Sequence, residues 1–198
     1  TMTLVAGNRI AGVDSSTQST KVEVRDAETG TLVRSGRAPH PSTNSPCSEQ
    51  DPTAWWDAFG AARNEAGGLD DCAAVSIAAQ QHGLVVTDAA GTPLRAAKLW
   101  NDTESAPDAG WLIKQLDDAA AGWARACGSV PVAAFTITKR SWLHRTEPDA
   151  FARIERVMLP HDWLVWQLTG EDSTDRGGAS CTGYGAPVAG RYRCGALA

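Results

Sequence analysis

The stretch that decides the fold runs from residue 9 to residue 26 and reads RIAGVDSSTQSTKVEVRD. The apolar run Ile10–Val13 ends at Asp14, which is typical of a buried strand. Hydroxyl and amide residues at 15–19 then supply turn chemistry. Valines alternate with charged residues over 21–26, and this period of two predicts a second, half-buried strand.

A third strand and a helix are expected next. Glu28-Thr29-Gly30 is a turn and Thr31-Leu32-Val33 begins the third strand, so the tight connections predict that the first three strands are antiparallel. Asp51 and Pro52 suit the N-cap and first position of a helix. Gly67-Gly68 is expected to end that helix.

The second half of the chain continues this α/β pattern. Small and β-branched residues over Cys72–Ala79 predict a strand buried on both faces and parallel to a neighbour. Leu84–Val86 and Leu94–Trp100 flank the turn Asp88–Gly91 and predict a hairpin. Later helices are expected to begin near Pro107, Pro148 and Pro160, and the last to end at Gly170. No linker divides the sequence, which favours one α/β domain.

Composition excludes several classes of protein. The 198 residues carry 18 basic and 23 acidic side chains, which argues against a nucleic-acid partner because phosphate neutralisation needs clustered Lys and Arg. No apolar run approaches the roughly 18 residues of a membrane span, so no membrane partner is expected. The start Thr1–Val5 is short and uncharged, so no signal peptide is expected there. Five cysteines without a CxxC pair favour free thiols in a cytoplasmic protein over a zinc site or disulfide framework.

One candidate site is Asp14 with the hydroxyl-rich turn at 15–19. A carboxylate at the end of a buried strand can hold a hydrated Mg²⁺ ion, which prefers one or two carboxylates plus waters. Turn N–H groups and hydroxyls can bind phosphate oxygens. The alternative is an ordinary Asx or Ser/Thr turn between two strands.

Three further polar segments are candidates for ligand contact. Gln80–Gly83 follows a predicted strand, and its amides and imidazole could bind sugar hydroxyls. The alternative is that this segment is a capped turn. Leu99–Asp102 places an aromatic ring beside Asn and Asp, an arrangement that binds sugars or caps a helix. Asp172–Ser180 combines acids, hydroxyls and glycines, either in a loop that approaches a ligand or in a solvated turn.

Together these segments resemble the FGGY carbohydrate kinases, and among them the xylulokinases. The resemblance extends from about Ile10 to about Tyr184. The strings that carry it are Ala11-Gly12-Val13-Asp14 with Ser16-Thr17, Ser48-Glu49-Gln50-Asp51-Pro52, Gln80-Gln81-His82-Gly83, Leu99-Trp100-Asn101-Asp102, Leu159-Pro160-His161-Asp162-Trp163 and Leu168-Thr169-Gly170-Glu171.

The resemblance implies a fold and an activity. The fold is α/β, ribonuclease H-like and of the actin-type ATPase class, with a mixed sheet and helices on both faces. The activity is phosphorylation of a ketopentose, D-xylulose, by Mg²⁺-ATP in a cleft between two domains. Residues 1–185 would form the amino-terminal, sugar-binding domain and 186–198 an incomplete tail. The carboxy-terminal ATP-binding domain and the catalytic base are expected to be absent from this chain.

The resemblance also implies roles by position. Asp14 would lie near Mg²⁺ and the transferred phosphate, and the phosphate-facing turn would contain Ser16, Thr17 and Gln18. The sugar would contact Gln81 and His82, and lie near Trp100, Asn101 and Asp102. The chain departs from the family at Ser16, where a Gly is usual, at Gly178, often Asp, and at Cys181, often Gly.

Two other functions stay open. One is a non-catalytic sugar-binding or regulatory module with the same fold, and the other is a kinase for a different sugar or polyol. The surface that would meet a second domain is expected to be apolar enough to favour self-association, for example as a homodimer.

Overall fold

The structure is a computed structural model that describes residues 8–193. These residues fall into two compact units: one holds residues up to Ser42 with Thr53–Ala79, the other Thr43–Pro52 with the residues from Gln80 onward. In chain order the elements are β1 (Arg9–Ser15), β2 (Ser19–Asp26), β3 (Leu32–Pro39), β4 (Glu49–Gln50), α1 (Pro52–Glu65), β5 (Ala74–Ala79), β6 (Val85–Thr87), β7 (Ala97–Lys98), α2 (Ala106–Ile113), α3 (Ala119–Cys127), α4 (Thr136–Thr146), α5 (Pro148–Phe151), β8 (Arg156–Met158), α6 (Pro160–Thr169), α7 (Arg176–Ser180), β9 (Gly185–Ala186) and β10 (Arg191–Tyr192).

The first unit is built on a four-stranded sheet of order β3-β2-β1-β5. Strands β1, β2 and β3 pair antiparallel, as their tight turns predict. Strand β5 pairs parallel with β1, so that Asp14 lies between Lys21 on β2 and Ala78 on β5. The prediction of a mixed sheet with three antiparallel strands is therefore confirmed.

Helix α1 covers one face of this sheet. Val13 and Val22 of the sheet pack in one buried cluster with Phe59 and Ala62 of the helix. The helix ends where a positive φ is needed, at Gly67-Gly68 with φ of 79° and 86°, because glycine adopts this conformation without a Cβ penalty. The predicted bounds of α1 are confirmed.

The opposite face of the sheet is exposed. Ile10 is 42% exposed and Val75 is 43% exposed, and Gly12 and Asp14 are exposed on β1. The predicted burial of β5 on both faces is wrong for this chain, because β5 forms an edge of the sheet and its residues are exposed or half-buried. Helices were expected on both faces of the sheet. Helix α1 covers one face, and within residues 8–193 the other face is exposed.

The second unit combines helices with two-stranded ladders. Ladders form between β4 and β7, between β6 and β8, and between β9 and β10. The two arms of the predicted hairpin are joined by the bridges Leu84↔Lys98 and Thr87↔Pro93 and by a hydrogen bond from the Leu94 N–H to the Val86 carbonyl, and they do not form a continuous ladder. Strand β6 takes β8 as its ladder partner instead, because this pairing completes the hydrogen bonds of a fully buried strand. Helices α2, α5 and α6 begin at or beside the predicted prolines, and Gly170 ends α6.

Two apolar clusters stabilise the second unit. One includes Leu112, Trp123 and Ile137, and the other includes Leu84 and Leu143. No helix within residues 8–193 combines the length and the apolar character needed to cross a bilayer. The cysteines of the described range are free thiols, as predicted, and Cys194 lies outside that range.

Candidate functional site

Asp14 lies on the exposed face of the first unit's sheet. It is the penultimate residue of β1, directly before Ser15 and the turn. A concavity of about 410 Å³ opens on this face, with Asp14, Gly12, Lys21 and Ser76 among its lining residues. The strand alternation that buries Val13 under α1 therefore presents the Asp14 carboxylate to solvent.

The turn after Asp14 is closed by its own polar groups. The Ser16 N–H and hydroxyl both donate to the Ser19 carbonyl, at 3.0 and 3.1 Å. Below the turn, the Thr20 hydroxyl lies 3.2 Å from the Ser15 hydroxyl and 2.8 Å from His40 Nε2. The backbone N–H of His40 donates to the Gln18 carbonyl at 2.8 Å. The sequence gives no signal that His40 adjoins this turn, because only the pairing of β2 with β3 brings it there.

His40 makes the stability of the first unit depend on pH. Burial lowers the pKa of His40 below its usual 6.5, so the unfolded chain binds this proton more readily than the folded chain. Stability is therefore fully present above pH 6.5 and falls as the pH drops below it. We expect His40→Gln to remove this part of the acid sensitivity.

Denaturant unfolding at pH 5.5 and 7.5 measures this effect, with the exposed His144→Gln as the matched control. The parent and the His144 variant are expected to lose more stability at the lower pH than His40→Gln does. An equal loss in all three proteins would contradict the assignment.

Gln81 and His82 follow β5 in sequence and belong to the second unit. His82 has φ of 65°, and its ring stacks on Phe135 with centroids 5.3 Å apart. His82 Nδ1 lies 3.2 Å from the Cys181 carbonyl, to which it donates because a carbonyl only accepts. The half-buried imidazole is thus held in one orientation, with Nε2 as the remaining polar atom. Gln81 is exposed, and its Oε1 lies 4.0 Å from Cys181 Sγ.

The segment Trp100–Asp102 has three different environments. Trp100 is 48% exposed. Asn101 Oδ1 is buried and finds no hydrogen-bond partner in the part of the chain that the structure describes. Asp102 is fully buried and accepts from the Ser48 N–H at 2.9 Å and the Glu104 N–H at 3.2 Å. Asp102 therefore has structural contacts, whereas Trp100 and Asn101 offer an aromatic face and an unpaired acceptor.

Lys98 anchors this segment, and sequence reasoning missed it. Its fully buried ammonium lies 2.9 Å from Glu49, 3.0 Å from Asp102 and 2.6 Å from Glu104. It also lies 3.8 Å from the centroid of the Trp142 ring. The signal was a lysine flanked by the apolar residues Ala96, Ala97 and Leu99, because a buried charge is found almost only with partners.

The segment Asp172–Ser180 is not an irregular loop throughout. Residues from Arg176 form the short helix α7, and the Asp175 side chain caps it by accepting from the Gly178 N–H at 2.8 Å. Asp175 and Arg176 also line a cavity of about 300 Å³ with Tyr192. Asp175 and Gly178 thus have a structural role in this segment, because their hydrogen bond caps α7.

The predicted site residues divide between the two units. Asp14, Ser16, Thr17 and Gln18 belong to the first unit, and the predicted sugar contacts belong to the second. In the first unit the turn directly follows Asp14, whereas in the second unit His82 contacts Phe135 and Cys181 and the segment Trp100–Asp102 has other partners. Their assigned roles remain predictions.

The sequence matches the FGGY family of carbohydrate kinases, N-terminal domain, over residues 9–192. It is 51% identical over 186 residues to the xylulose kinase of Streptomyces coelicolor, covering 93% of this chain and 38% of the relative. It is 50% identical over 186 residues to the xylulose kinase of Streptomyces rubiginosus, with the same coverage of 93% and 38%. The chain therefore spans less than half the length of these two relatives.

Solved structures show the same likeness. The crystal structure of xylulose kinase from Bifidobacterium adolescentis superposes with a TM-score of 0.88 at 44% identity, covering 96% of this chain and 42% of that chain. A kinase structure from Brucella ovis, described as a xyloylose kinase, gives a TM-score of 0.86 at 29% identity, covering 96% of this chain and 40% of that one. These likenesses confirm the expected actin-type fold.

Proposed function

Because the chain belongs to the FGGY family of carbohydrate kinases and matches its N-terminal domain, we propose that it is the sugar-binding half of a xylulokinase-like enzyme. The complete enzyme would transfer the terminal phosphate of Mg²⁺-ATP to a ketopentose, converting D-xylulose to D-xylulose 5-phosphate. The observation that carries the proposal is the likeness to the two Streptomyces xylulose kinases. In this proposal, residues 1–185 are the domain, and a second domain supplies the adenosine site and the catalytic base.

The donor set near Asp14 fits a magnesium-bound phosphate. The exposed Asp14 carboxylate and the hydroxyls of Ser16 and Thr17 are hard oxygen ligands of the type that Mg²⁺ accepts directly or through water. Bound there, Mg²⁺-ATP would supply the phosphoryl group and neutralise its charge. Asp14 would hold the hydrated ion, and the turn containing Gln18 would position phosphate oxygens.

The second unit would supply the sugar contacts. Trp100 offers an aromatic face to the C–H surface of a sugar, and the half-buried Asn101 would bind a hydroxyl through its side-chain amide. Gln81 and His82 Nε2 would bind further hydroxyls, with the imidazole oriented by the Cys181 carbonyl. Asp102 would position Asn101 rather than touch the sugar, because its oxygens are already engaged.

Location and assembly follow from the same proposal. A kinase that draws on cellular ATP, with cysteines that are free thiols in the described range, would act in the cytoplasm. The exposed apolar residues Ile10 and Val75 support self-association of the isolated chain.

Titration calorimetry of the purified chain with D-xylulose tests the proposed site. His82→Asn keeps a residue type that tolerates a positive φ but replaces the imidazole. Loss of one sugar hydrogen bond costs about 0.5–1.5 kcal/mol, so we expect D-xylulose binding to weaken several-fold.

The exposed His144→Asn is the matched control and should bind like the parent. Glycerol in place of D-xylulose separates the ketopentose from the polyol alternative. No D-xylulose binding by the parent, or parent-like binding by His82→Asn, would count against the assigned site.

A further inference from the structure

The cluster around Lys98 has the composition of a cation site. Sγ of Cys47 and carboxylate oxygens of Glu49, Asp102 and Glu104 all lie within 4.8 Å of one another. In this chain the cation among them is the Lys98 ammonium, which contacts all three carboxylates at 2.6–3.0 Å. Its side chain is inaccessible to solvent.

The carboxylates hold the charge of Lys98 strongly. Burial alone would lower the pKa of Lys98, but its hydrogen bonds to Glu104, Glu49 and Asp102 outweigh burial and raise it. Lys139 is a useful contrast, because its ammonium donates to the backbone carbonyls of Ala133 and Ala134. Burial lowers the pKa of Lys139 to about 7. Lys98 therefore remains a cation because of its three carboxylates.

The contacts of Lys98 tie together two distant segments. Glu49 lies on β4, and Asp102 and Glu104 follow Lys98 itself after the end of β7. Asp102 in turn accepts from the Ser48 N–H. Trp100 and Asn101 stand between Lys98 and Asp102, so both ends of this short loop are fixed by one ammonium.

We propose that Lys98 is a positioning residue for sugar binding: its buried ammonium holds the loop that presents Trp100 and Asn101. The inference rests on the proposed sugar site. Lys98 does not contact the sugar itself, since its three donors are engaged by carboxylates and its side chain is inaccessible.

Lys98→Met tests the inference by removing the charge and keeping the apolar stem. We expect D-xylulose affinity to fall roughly ten- to hundredfold, since small displacements of binding groups have effects of this size. Lys114→Met, at an exposed lysine, is the matched control and should bind like the parent. If the single variant does not fold, the double variant Lys98→Met/Glu104→Gln replaces it in the same measurement. It carries one carboxylate fewer, so less negative charge is left without its Lys98 partner.

A second measurement reports on the cation site directly. With Lys98 removed, the carboxylates should bind one Mn²⁺ ion, because this metal suits carboxylate ligands. Electron paramagnetic resonance should then detect one Mn²⁺ more per chain in Lys98→Met than in the parent. Mn²⁺ should also restore part of the D-xylulose affinity, which loss of packing alone would not predict.

The outcomes separate the inference from the proposed function. A parent that does not bind D-xylulose refutes the proposed function, and the inference with it. A parent that binds, together with a folded Lys98 variant of unchanged affinity, overturns the inference alone. Failure of both Lys98 variants to fold also overturns it, because Lys98 would then be required for the fold rather than for positioning.

Discussion

Gly36→Ala is expected to destabilise the first unit strongly. Gly36 lies on β3 where α1 approaches the sheet, and a Cβ there would overlap the Ala62 carbonyl oxygen and lie 2.8 Å from the Ala66 nitrogen. These are backbone atoms of a packed helix, so the overlap cannot be relieved by a side-chain rotation. Overpacking typically costs about 1–3 kcal/mol and occasionally more, and we expect the upper end.

Thermal unfolding measures this cost. A loss of about 3 kcal/mol corresponds to a decrease in Tm of roughly 6–12 °C for a chain of this size. Gly60→Ala on α1 is the matched control, because its Cβ would meet nothing within 4 Å and alanine favours a helix interior by about 0.5–1 kcal/mol. A Gly36→Ala protein as stable as the parent would contradict the close approach of α1 to β3.

Asp14→Asn is expected to abolish most catalysis in an assembled enzyme while leaving the fold intact. The test protein is a fusion of this chain to the remaining part of the Streptomyces coelicolor xylulose kinase. Loss of the charge that positions metal and phosphate should lower turnover about hundredfold or more. Because Asp14 is exposed and asparagine has nearly the same shape, the Tm should hardly change.

A coupled assay of ADP release measures turnover in the fusion. Asp57→Asn, at an exposed acid on α1, is the matched control and should retain activity. The isolated chain should release no ADP with D-xylulose and Mg²⁺-ATP, because phosphoryl transfer needs donor, metal and acceptor held in a water-poor site. Sugar-dependent ADP release by the isolated chain would place the catalytic base within these residues.

Several elements of the fold follow from local signals in the sequence. Alternation of valines with charged residues identified β2, and Asp51-Pro52 and Gly67-Gly68 marked the ends of α1. Such signals depend on nearest neighbours in the chain: steric limits on φ and ψ, N-cap preferences and side-chain periodicity. The order of the site strings likewise indicates the family, because several motifs in a fixed order are more specific than any single residue.

The burial of β5 could not be predicted from local sequence signals. Its small apolar residues resemble those of a strand covered on both faces, but only the strand order places β5 at an edge. The partner of β6 was also missed, since β8 lies far along the chain and its pairing gives no local signal. Non-local pairing is set by packing, not by propensity.

The sequence by itself determined the meander, the bounds of α1, the family and the segments that carry the candidate site. Only the tertiary structure decided that Asp14 faces solvent on the uncovered side of the sheet, that His40 supports the turn after it, and that Lys98 joins three carboxylates. The physical reason is that burial and charge pairing depend on which distant residues meet. A lysine between apolar neighbours indicates that partners exist, and the fold alone determines which carboxylates they are.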